Sequence, residues 1–154
     1  MQVTRQRLIL LAGLGSAALL GGAFVFQALG YAPCKMCIWQ RYPHAIAIGI
    51  SVVAMGFGNA VLAWLGALAA LTTAAIGGYH TGVEKGWWEG PTSCSAQSID
   101  GLSTDELLQQ IMTAPVVRCD EIAWAFAGVS MASWNMILSL VLAGIWLAAA
   151  RRES

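Results

Sequence analysis

Residues Ala60–Tyr79 read AVLAWLGALAALTTAAIGGY and contain no charged side chain. A helix that crosses a bilayer needs about 20 consecutive apolar residues, so this run alone predicts a transmembrane helix. The rest of the chain agrees, because 58% of its 154 residues are hydrophobic and only 10% are charged. Soluble domains contain roughly 25% charged residues. The sequence therefore predicts an integral membrane protein.

Three further apolar runs flank this one. Leu8–Leu29 and Ala125–Ala150 are each long enough to cross a bilayer. The former also exceeds the roughly 7–15 apolar residues of a signal peptide, so we expect it to be retained as a span. Ala45–Phe57 is shorter, but Pro43 suits the first turn of a helix that begins near Arg41.

A tight turn at Gly58-Asn59 joins the second and third runs, so these two helices are predicted to pack antiparallel. We expect one integral membrane domain over residues 1–154. Its spans are predicted at about 8–29, 42–57, 60–80 and 125–150, and its loops at about 30–43 and 80–124.

The arginines indicate how the spans are oriented. Arg5 and Arg7 precede the first span, and Arg151 and Arg152 follow the last. Lys and Arg are enriched at cytoplasmic ends, so both termini are predicted in the cytoplasm and both loops outside it. In a bacterium this means a multi-pass protein of the inner membrane with two periplasmic loops. All four cysteines fall in these loops, in the compartment where disulfides persist.

The second loop contains a short amphipathic segment, Thr104–Met112. Thr104 suits an N-cap, and Asp105 and Glu106 suit the first turn of a helix. Its apolar residues share one face. We expect this helix to lie in the membrane interface, the alternative being a helix packed on the loop itself. The predicted fold class is thus an all-α membrane protein, a bundle of four transmembrane helices with two periplasmic loops.

Cys34 and Cys37 form a Cys-x-x-Cys motif at the start of the second helix. This spacing is common in redox proteins, because the two sulfurs are close enough to bond and to exchange. The helix N-terminus, the adjacent Lys35 and Arg41 one turn beyond Cys37 all favour the thiolate, the reactive form. Alternatively, Arg41 is an interfacial base that anchors the helix.

The other two cysteines, Cys94 and Cys119, enclose about 25 residues of the second loop. Four cysteines allow three pairings, and the sequence leaves the choice open. Ile38 stands where a haem-attachment motif has histidine. A four-cysteine zinc site usually contains two close pairs, whereas Cys94 and Cys119 are far apart in sequence, so no metal is predicted.

The net charge of zero gives no indication of nucleic-acid binding. The predicted spans also lack the charged residues that pumps and transporters usually need.

Two histidines lie near the ends of predicted spans. His80 is at the outward end of the third span, where it borders the same pocket as Arg41 if the second loop folds back over the membrane surface. Otherwise it is an ordinary interfacial histidine. His44 follows Pro43 and is interpreted as a helix-start residue.

Taken together, these residues resemble the DsbB family of quinone-linked disulfide bond formation proteins over essentially the whole chain. The resemblance rests on four spans, on the placement of the cysteines and on local matches. The matching stretches are CKMCIWQR at Cys34–Arg41, YHTGVE at Tyr79–Glu84, and RCDE, Trp124, FAGVSMA and WN within Arg118–Asn135. The Cys-x-x-Cys motif is common, whereas the combination is specific.

The resemblance implies a protein-disulfide:quinone oxidoreductase with four catalytic cysteines. Cys94 would be attacked by a reduced periplasmic DsbA-like protein, releasing Cys119. Electrons would then pass to the first pair through a transient Cys34–Cys119 link, and Cys37 would donate them to ubiquinone or menaquinone from the membrane pool. A disulfide exchange moves two electrons, and a quinone accepts two.

The resemblance also implies that Arg41 holds the quinone and that His80 borders its ring. One alternative from another class is a four-span structural or interaction protein with static loop disulfides. Such a protein has no need for a Cys-x-x-Cys motif followed by arginine at a helix start. A quinone reductase of the vitamin K epoxide reductase type usually adds a fifth span or a fused thioredoxin-like domain, and neither is visible in the sequence.

Overall fold

The computed structural model describes residues 4–57, 59–91, 94, 103–113 and 117–152. This part of the chain forms five helices and a small two-stranded sheet. In chain order the elements are α1 (Arg5–Ala28), α2 (Lys35–Phe57), α3 (Ala60–Glu84), α4 (Thr104–Thr113), β1 (Ala125–Phe126), β2 (Val129–Ser130) and α5 (Met131–Arg151). Of the predicted turn between α2 and α3, Gly58 lies outside the described residues, and Asn59 caps α3 by accepting a hydrogen bond from the Val61 amide at 2.8 Å.

The four long helices form a bundle in which α3 packs against α2 and α5, and α1 packs against the same two helices. Small residues allow the close approach. A Cβ added to Gly66 of α3 would lie 2.5 Å from the ring of Trp146 in α5, which is fully buried. Helices in membranes associate through such small residues, because lipid supplies no hydrophobic force between them.

Among the described residues, α1, α3 and α5 are long and apolar enough to cross a membrane. Their outer faces expose leucines, including Leu11, Leu14 and Leu68, as expected of surfaces in contact with lipid. The chain is therefore a membrane protein. Helix α2 does not meet the same measure of apolarity, and Lys35 and Arg41 near its start lower its hydropathy. The fourth span remains a prediction.

Helix α2 begins at Lys35, so the expected start near Arg41 is wrong, and Pro43 lies inside the helix instead of in its first turn. The cause is Cys34, which acts as the helix cap. Its sulfur accepts a hydrogen bond from the Cys37 amide at 3.2 Å, and its carbonyl accepts one from the Ile38 amide at 3.1 Å. These bonds satisfy amides that a helix start leaves without partners.

Helix α3 continues past the predicted end of its span to Glu84. It is terminated by Gly86, whose φ of +67° is in the left-handed region that glycine tolerates. The Gly86 amide donates to the Val83 carbonyl at 3.1 Å, and the Trp87 amide donates to the Gly82 carbonyl at 2.9 Å. This is the Schellman pattern of a helix C-terminus. The extra turn keeps His80 and Glu84 on one helix.

Helix α5 begins at Met131, whereas the sequence predicted a span from Ala125, and the all-helical prediction misses the hairpin formed by β1 and β2. The hairpin turns at Ala127 and Gly128, both with positive φ, of 53° and 75°. Two such residues in succession define the turn that suits a tight hairpin. The apolar composition of these residues conceals the turn from a hydropathy argument.

The predicted helix of the second loop is present as α4. Its cap is Ser103 and not Thr104 as expected. The Glu106 carboxylate accepts hydrogen bonds from the Ser103 amide at 2.8 Å and from its hydroxyl at 2.6 Å. Leu108, Ile111 and Met112 are exposed, so the apolar face of α4 is open. Its position relative to a membrane remains a prediction.

The two ends of the described chain meet at one end of the bundle. Arg5 donates hydrogen bonds to the carbonyls of Ala149, at 3.3 Å, and of Arg152. The cysteines lie where α1 ends, α2 begins, α3 ends and α5 begins, which is the opposite end of the bundle.

Candidate active site

Cys34 and Cys37 lie side by side at the N-terminus of α2. Both are unbonded thiols, with their sulfurs 2.7 Å apart in a hydrogen bond from Cys34 to Cys37. Both sulfurs precede the predicted span at residues 42–57. The bond raises the pKa of Cys34, which must keep its proton to donate it, and burial raises that pKa further. The same bond lowers the pKa of Cys37, whose thiolate accepts it.

Cys37 is therefore the more readily ionised of the two sulfurs, for a reason other than the predicted one. The hydrogen bond from Cys34 has the largest effect on the pKa of Cys37, and the charge of Arg41 has the smallest of the effects that act on it. Arg41 is bound to α1 instead. Its guanidinium donates to Gln27 Oε1 at 2.7 Å and to the Ala23 carbonyl at 3.3 Å.

The second pair is a disulfide between Cys94 and Cys119, with their Cα atoms 5.2 Å apart. The sequence left this pairing open. Both residues are fully buried, and they pack in one cluster with Cys34, Met36 and Val83. The fold thus brings together all four cysteines, although the two pairs are distant in sequence.

His80 lies between the two pairs. Its Nε2 is 3.1 Å from the carbonyl oxygen of Cys119 and 3.6 Å from the Cys34 sulfur. A carbonyl only accepts hydrogen bonds, so Nε2 carries the proton. Nδ1 then accepts from Gln40 Nε2, at 3.0 Å. The same Nε2 lies 3.9 Å from Oε1 of the Glu84 carboxylate. Glu84 in turn accepts a hydrogen bond from the Ser130 hydroxyl.

A chain of buried and half-buried polar side chains continues from His80 through Gln40 and Asn135 to His44. Asn135 Nδ2 donates to Gln40 Oε1 at 2.8 Å, and Asn135 Oδ1 lies 2.9 Å from His44 Nε2. The sequence interpreted His44 as a helix-start residue, but α2 begins at Lys35, so His44 lies well inside the helix, where it is buried. Gln40, Glu84 and Asn135 were not predicted as site residues. The sequence signal that could have identified them is that each is a polar residue beside or within an apolar run.

A cavity of about 230 Å³ lies beside this cluster, between α1, α2, the end of α3 and the start of α5. Most of its wall is apolar. Its polar lining includes Cys37, Arg41, His44, His80, Glu84 and Asn135. The structure therefore places both predicted binding residues, Arg41 and His80, on the wall of one cavity together with Cys34 and Cys37.

Cys34, Cys37 and His80 also present three potential metal ligands within 4.8 Å of one another. The sequence argument considered only four-cysteine sites and did not weigh this set. In the observed network Nε2 of His80 carries the proton and Nδ1 is held by Gln40. Neither nitrogen then offers a lone pair to a metal, so the geometry favours thiol chemistry.

Comparison with known proteins agrees with this geometry. The family model described as "Disulfide bond formation protein DsbB" matches residues 5–149. Disulfide bond formation protein B of Albidiferax ferrireducens is 30% identical over 94% of this chain and 87% of its own length. The protein of the same name from Psychrobacter arcticus is 30% identical over 77% of this chain and 72% of its own.

The uncharacterized protein RP370 of Rickettsia prowazekii is also similar, at 28% identity over 73% of this chain and 67% of its own length. No solved structure matches. The family match covers α1, α2, α3, α5 as far as Ala149, and all four cysteines. The chain therefore belongs to the DsbB family, whose members are membrane-bound oxidoreductases that form disulfide bonds.

Proposed function

We propose that this protein takes electrons from a reduced, soluble DsbA-like protein and passes them to a membrane quinone, ubiquinone or menaquinone. The observation that carries the proposal is the single buried cluster of two cysteine pairs beside an apolar cavity lined by Arg41. A static structural protein would not need two unbonded thiols in contact at a helix start.

The partner's electrons enter at the second loop. A thiolate of the DsbA-like protein attacks the Cys94 sulfur, the Cys94–Cys119 bond breaks, and Cys119 leaves as a thiolate. The second partner thiol then attacks the mixed disulfide, so the partner leaves oxidised and Cys94 is reduced. Each step exchanges one sulfur–sulfur bond for another and moves two electrons in total.

Transfer between the pairs follows the same chemistry. The Cys119 thiolate attacks Cys34 of an oxidised Cys34–Cys37 pair, and Cys37 leaves as a thiolate. Cys94 then attacks Cys119, which restores the Cys94–Cys119 bond and releases Cys34 as a thiol. The product of this exchange has the bonding pattern of the structure, with one disulfide and two thiols. His80 supports the step by contacting both Cys34 and Cys119.

The residues of the cavity fit a quinone headgroup. The Arg41 Nε–H is buried and has no acceptor among the described residues, so it is available to a carbonyl oxygen of a ring bound within apolar walls. A bound quinone supplies an acceptor for two electrons and two protons. Cys37 holds the thiolate that donates, and Cys34 holds the one proton that the pair releases on oxidation, so the second proton of the quinol comes from solvent.

The cellular setting is part of this proposal. The chain would lie in the bacterial inner membrane, with α2 as its fourth span, both termini in the cytoplasm and the cysteines in the periplasm. The meeting of the chain ends at the end of the bundle opposite the cysteines is consistent with this topology.

Turnover with purified protein tests the proposal. A reduced DsbA-like protein should be oxidised with stoichiometric loss of a soluble ubiquinone or menaquinone analogue, followed by its absorbance. Cys37→Ser should abolish quinone reduction, because the donor sulfur is missing, while Cys94 still forms a mixed disulfide visible on a non-reducing gel.

Cys94→Ser is the matched control. It should lose oxidation of the DsbA-like protein but retain quinone reduction by dithiothreitol, which reaches the first pair directly. Absence of turnover with both classes of quinone would contradict the proposal. Normal quinone reduction by Cys37→Ser would assign the donor role to another sulfur.

A further inference from the structure

Two residues that line the cavity each have a buried polar atom without a hydrogen-bond partner among the described residues. The atoms are Nδ1 of His44 and Nε of Arg41. Both residues line the cavity, and they are three apart on α2, so their side chains are neighbours on one helix face. Buried polar atoms are normally paired, so two unpaired atoms at one cavity indicate a ligand that pairs them.

The neighbours of His44 determine that its unpaired atom is an acceptor. Asn135 Nδ2 donates to Gln40 Oε1 at 2.8 Å and to Thr73 Oγ1 at 3.1 Å, which fixes the amide orientation. Asn135 Oδ1 must then accept, so His44 Nε2, 2.9 Å away, is the nitrogen that carries the proton. Nδ1 of His44 therefore presents a lone pair.

The unpaired atom of Arg41 is a donor. Its Nη1 and Nη2 donate to Gln27 Oε1 and to the Ala23 carbonyl, so Nε is the guanidinium nitrogen that has no partner. The residues of the cavity wall thus include an unpaired donor nitrogen and an unpaired acceptor nitrogen. An oxidised quinone, whose ring oxygens are both carbonyls, has only acceptors. Its reduced form carries hydroxyl groups, each of which both donates and accepts.

We propose that His44 and Arg41 together recognise the reduced, hydroxyl-bearing form of the quinone. One ring hydroxyl donates to His44 Nδ1, and the other ring oxygen accepts from the Arg41 Nε–H. An oxidised quinone can accept a hydrogen bond from Arg41, but its second carbonyl oxygen would face His44 Nδ1 with a lone pair on each atom, and no hydrogen bond would form. This inference rests on the proposed quinone function and adds His44 to the site as a residue that selects the redox state of the ligand.

Such selectivity affects the reaction as well as binding. A site that binds the reduced form more tightly raises the reduction potential of the bound quinone, because binding shifts an equilibrium by the difference in affinity between its two states. Transfer of electrons from Cys34 and Cys37 into the cavity is then more favourable than transfer to quinone in lipid.

Ligand binding without turnover tests the inference. Three probes with one ring system are compared: a soluble quinone, its quinol and the quinol dimethyl ether, which cannot donate a hydrogen bond. Affinities are measured without oxygen in the Cys37→Ser background by quenching of tryptophan fluorescence, since Trp124 and Trp134 line the cavity. The quinol should bind about fivefold more tightly than either other probe, as expected for one hydrogen bond.

Variants of His44 assign the preference. His44→Leu should remove it, so that the three probes bind equally. His44→Asn should retain it, because an amide offers a donor toward Asn135 and an acceptor toward the ligand. Ser139→Ala is the matched control, since Ser139 is also buried and has an unpaired oxygen but does not line the cavity. It should leave the preference unchanged, which separates recognition from general packing.

The outcomes are distinct. If the unaltered site binds quinol and ether equally, or if His44→Leu keeps the preference, the inference is overturned while the quinone function stands. If none of the three probes binds, the quinone function itself fails. Should His44→Leu not fold, nitrogen NMR with labelled histidine decides, because the chain has only two histidines. The Nδ1 resonance of His44 should move with quinol and not with ether, and its failure to move would overturn the inference.

Discussion

At the scale of single residues, the two sulfurs of the Cys-x-x-Cys motif are chemically different. Cys34 caps α2 and donates its proton, and Cys37 receives the hydrogen bond within the first turn of the helix. A lowered pKa keeps Cys37 a thiolate as the pH falls below the ordinary range of a thiol, about 8.5. The raised pKa of Cys34 keeps it protonated at the same pH.

This difference predicts the pH dependence of alkylation. In protein with the Cys94–Cys119 bond intact and the first pair reduced, iodoacetamide should modify Cys37 first, at pH values below those required by an ordinary thiol. Cys34→Ala removes the donor and should shift the alkylation midpoint of Cys37 to higher pH. Peptide mass spectrometry measures both.

Cys34→Ser is the matched variant, because its hydroxyl can still donate to Cys37. Its midpoint should lie between those of the native protein and Cys34→Ala. Identical profiles for all three proteins would show that the hydrogen bond does not set the pKa of Cys37.

The chemistry of this motif could be predicted from the sequence, but its cause could not. The sequence shows Arg41 one turn from Cys37 and so attributes the thiolate to a positive charge. It does not show that Gln27 and Ala23 of α1 hold the guanidinium, because that contact depends on how two helices pack. His44 was missed as a site residue for the same reason, since its partner Asn135 is 91 residues away.

At the scale of elements, the contact between α3 and α5 depends on a glycine. Trp146 is fully buried against Gly66, at a distance that leaves no room for a methyl group. A rigid indole between two helices has little freedom to move aside. The helices would have to separate to accept a larger residue.

Gly66→Ala should therefore destabilise the protein by about 1–3 kcal/mol, as overpacking does in other cores. Gly49→Ala in α2 is the matched control, since an added Cβ there meets nothing within 4 Å. Better helix propensity should make it neutral or slightly stabilising. Unfolding of both variants in detergent, followed by circular dichroism, measures the difference. Equal midpoints would exclude steric conflict at Gly66.

The sequence predicts long apolar helices well and their ends poorly. The uncharged run in α3 predicts a helix, because a segment that crosses lipid must pair its own backbone groups and a helix does so within one segment. Pro43 led to a wrong prediction of where α2 begins, because the actual start depends on capping by Cys34. The hairpin at Ala125–Ser130 was read as part of a span, because its residues are apolar and only backbone dihedral angles reveal the turn.

At the scale of the whole molecule, the bundle separates its chain ends from its cysteines. Arg5 of α1 binds the last turn of α5, and the cysteine cluster lies at the other end. This separation of ends follows from an even number of helices crossing the bundle. The four predicted spans implied the same arrangement, and the cytoplasmic side that the arginines predict for the chain ends stays a prediction.

Reporter fusions test the membrane orientation. Green fluorescent protein fused after Ser154 should fluoresce, because it folds in the cytoplasm, whereas alkaline phosphatase at that point should be inactive. Alkaline phosphatase fused after Gly90 in the second loop should be active, because its disulfides form only in the periplasm. Active phosphatase at the C-terminus would place the termini outside and contradict the proposed topology.

The hydrogen bond between His80 and the Cys119 carbonyl has one more consequence, which concerns reduction of the disulfide by thiols in solution. While the Cys119 carbonyl is bound to His80, Cys94 and Cys119 are both fully buried, and a sulfur that is enclosed cannot be attacked by a thiol from solution. The arrangement thus protects the Cys94–Cys119 bond from thiols in solution. Under the proposed function, a soluble partner must first move the second loop away from His80, so electron entry from the partner and electron transfer to the first pair take place in two different conformations.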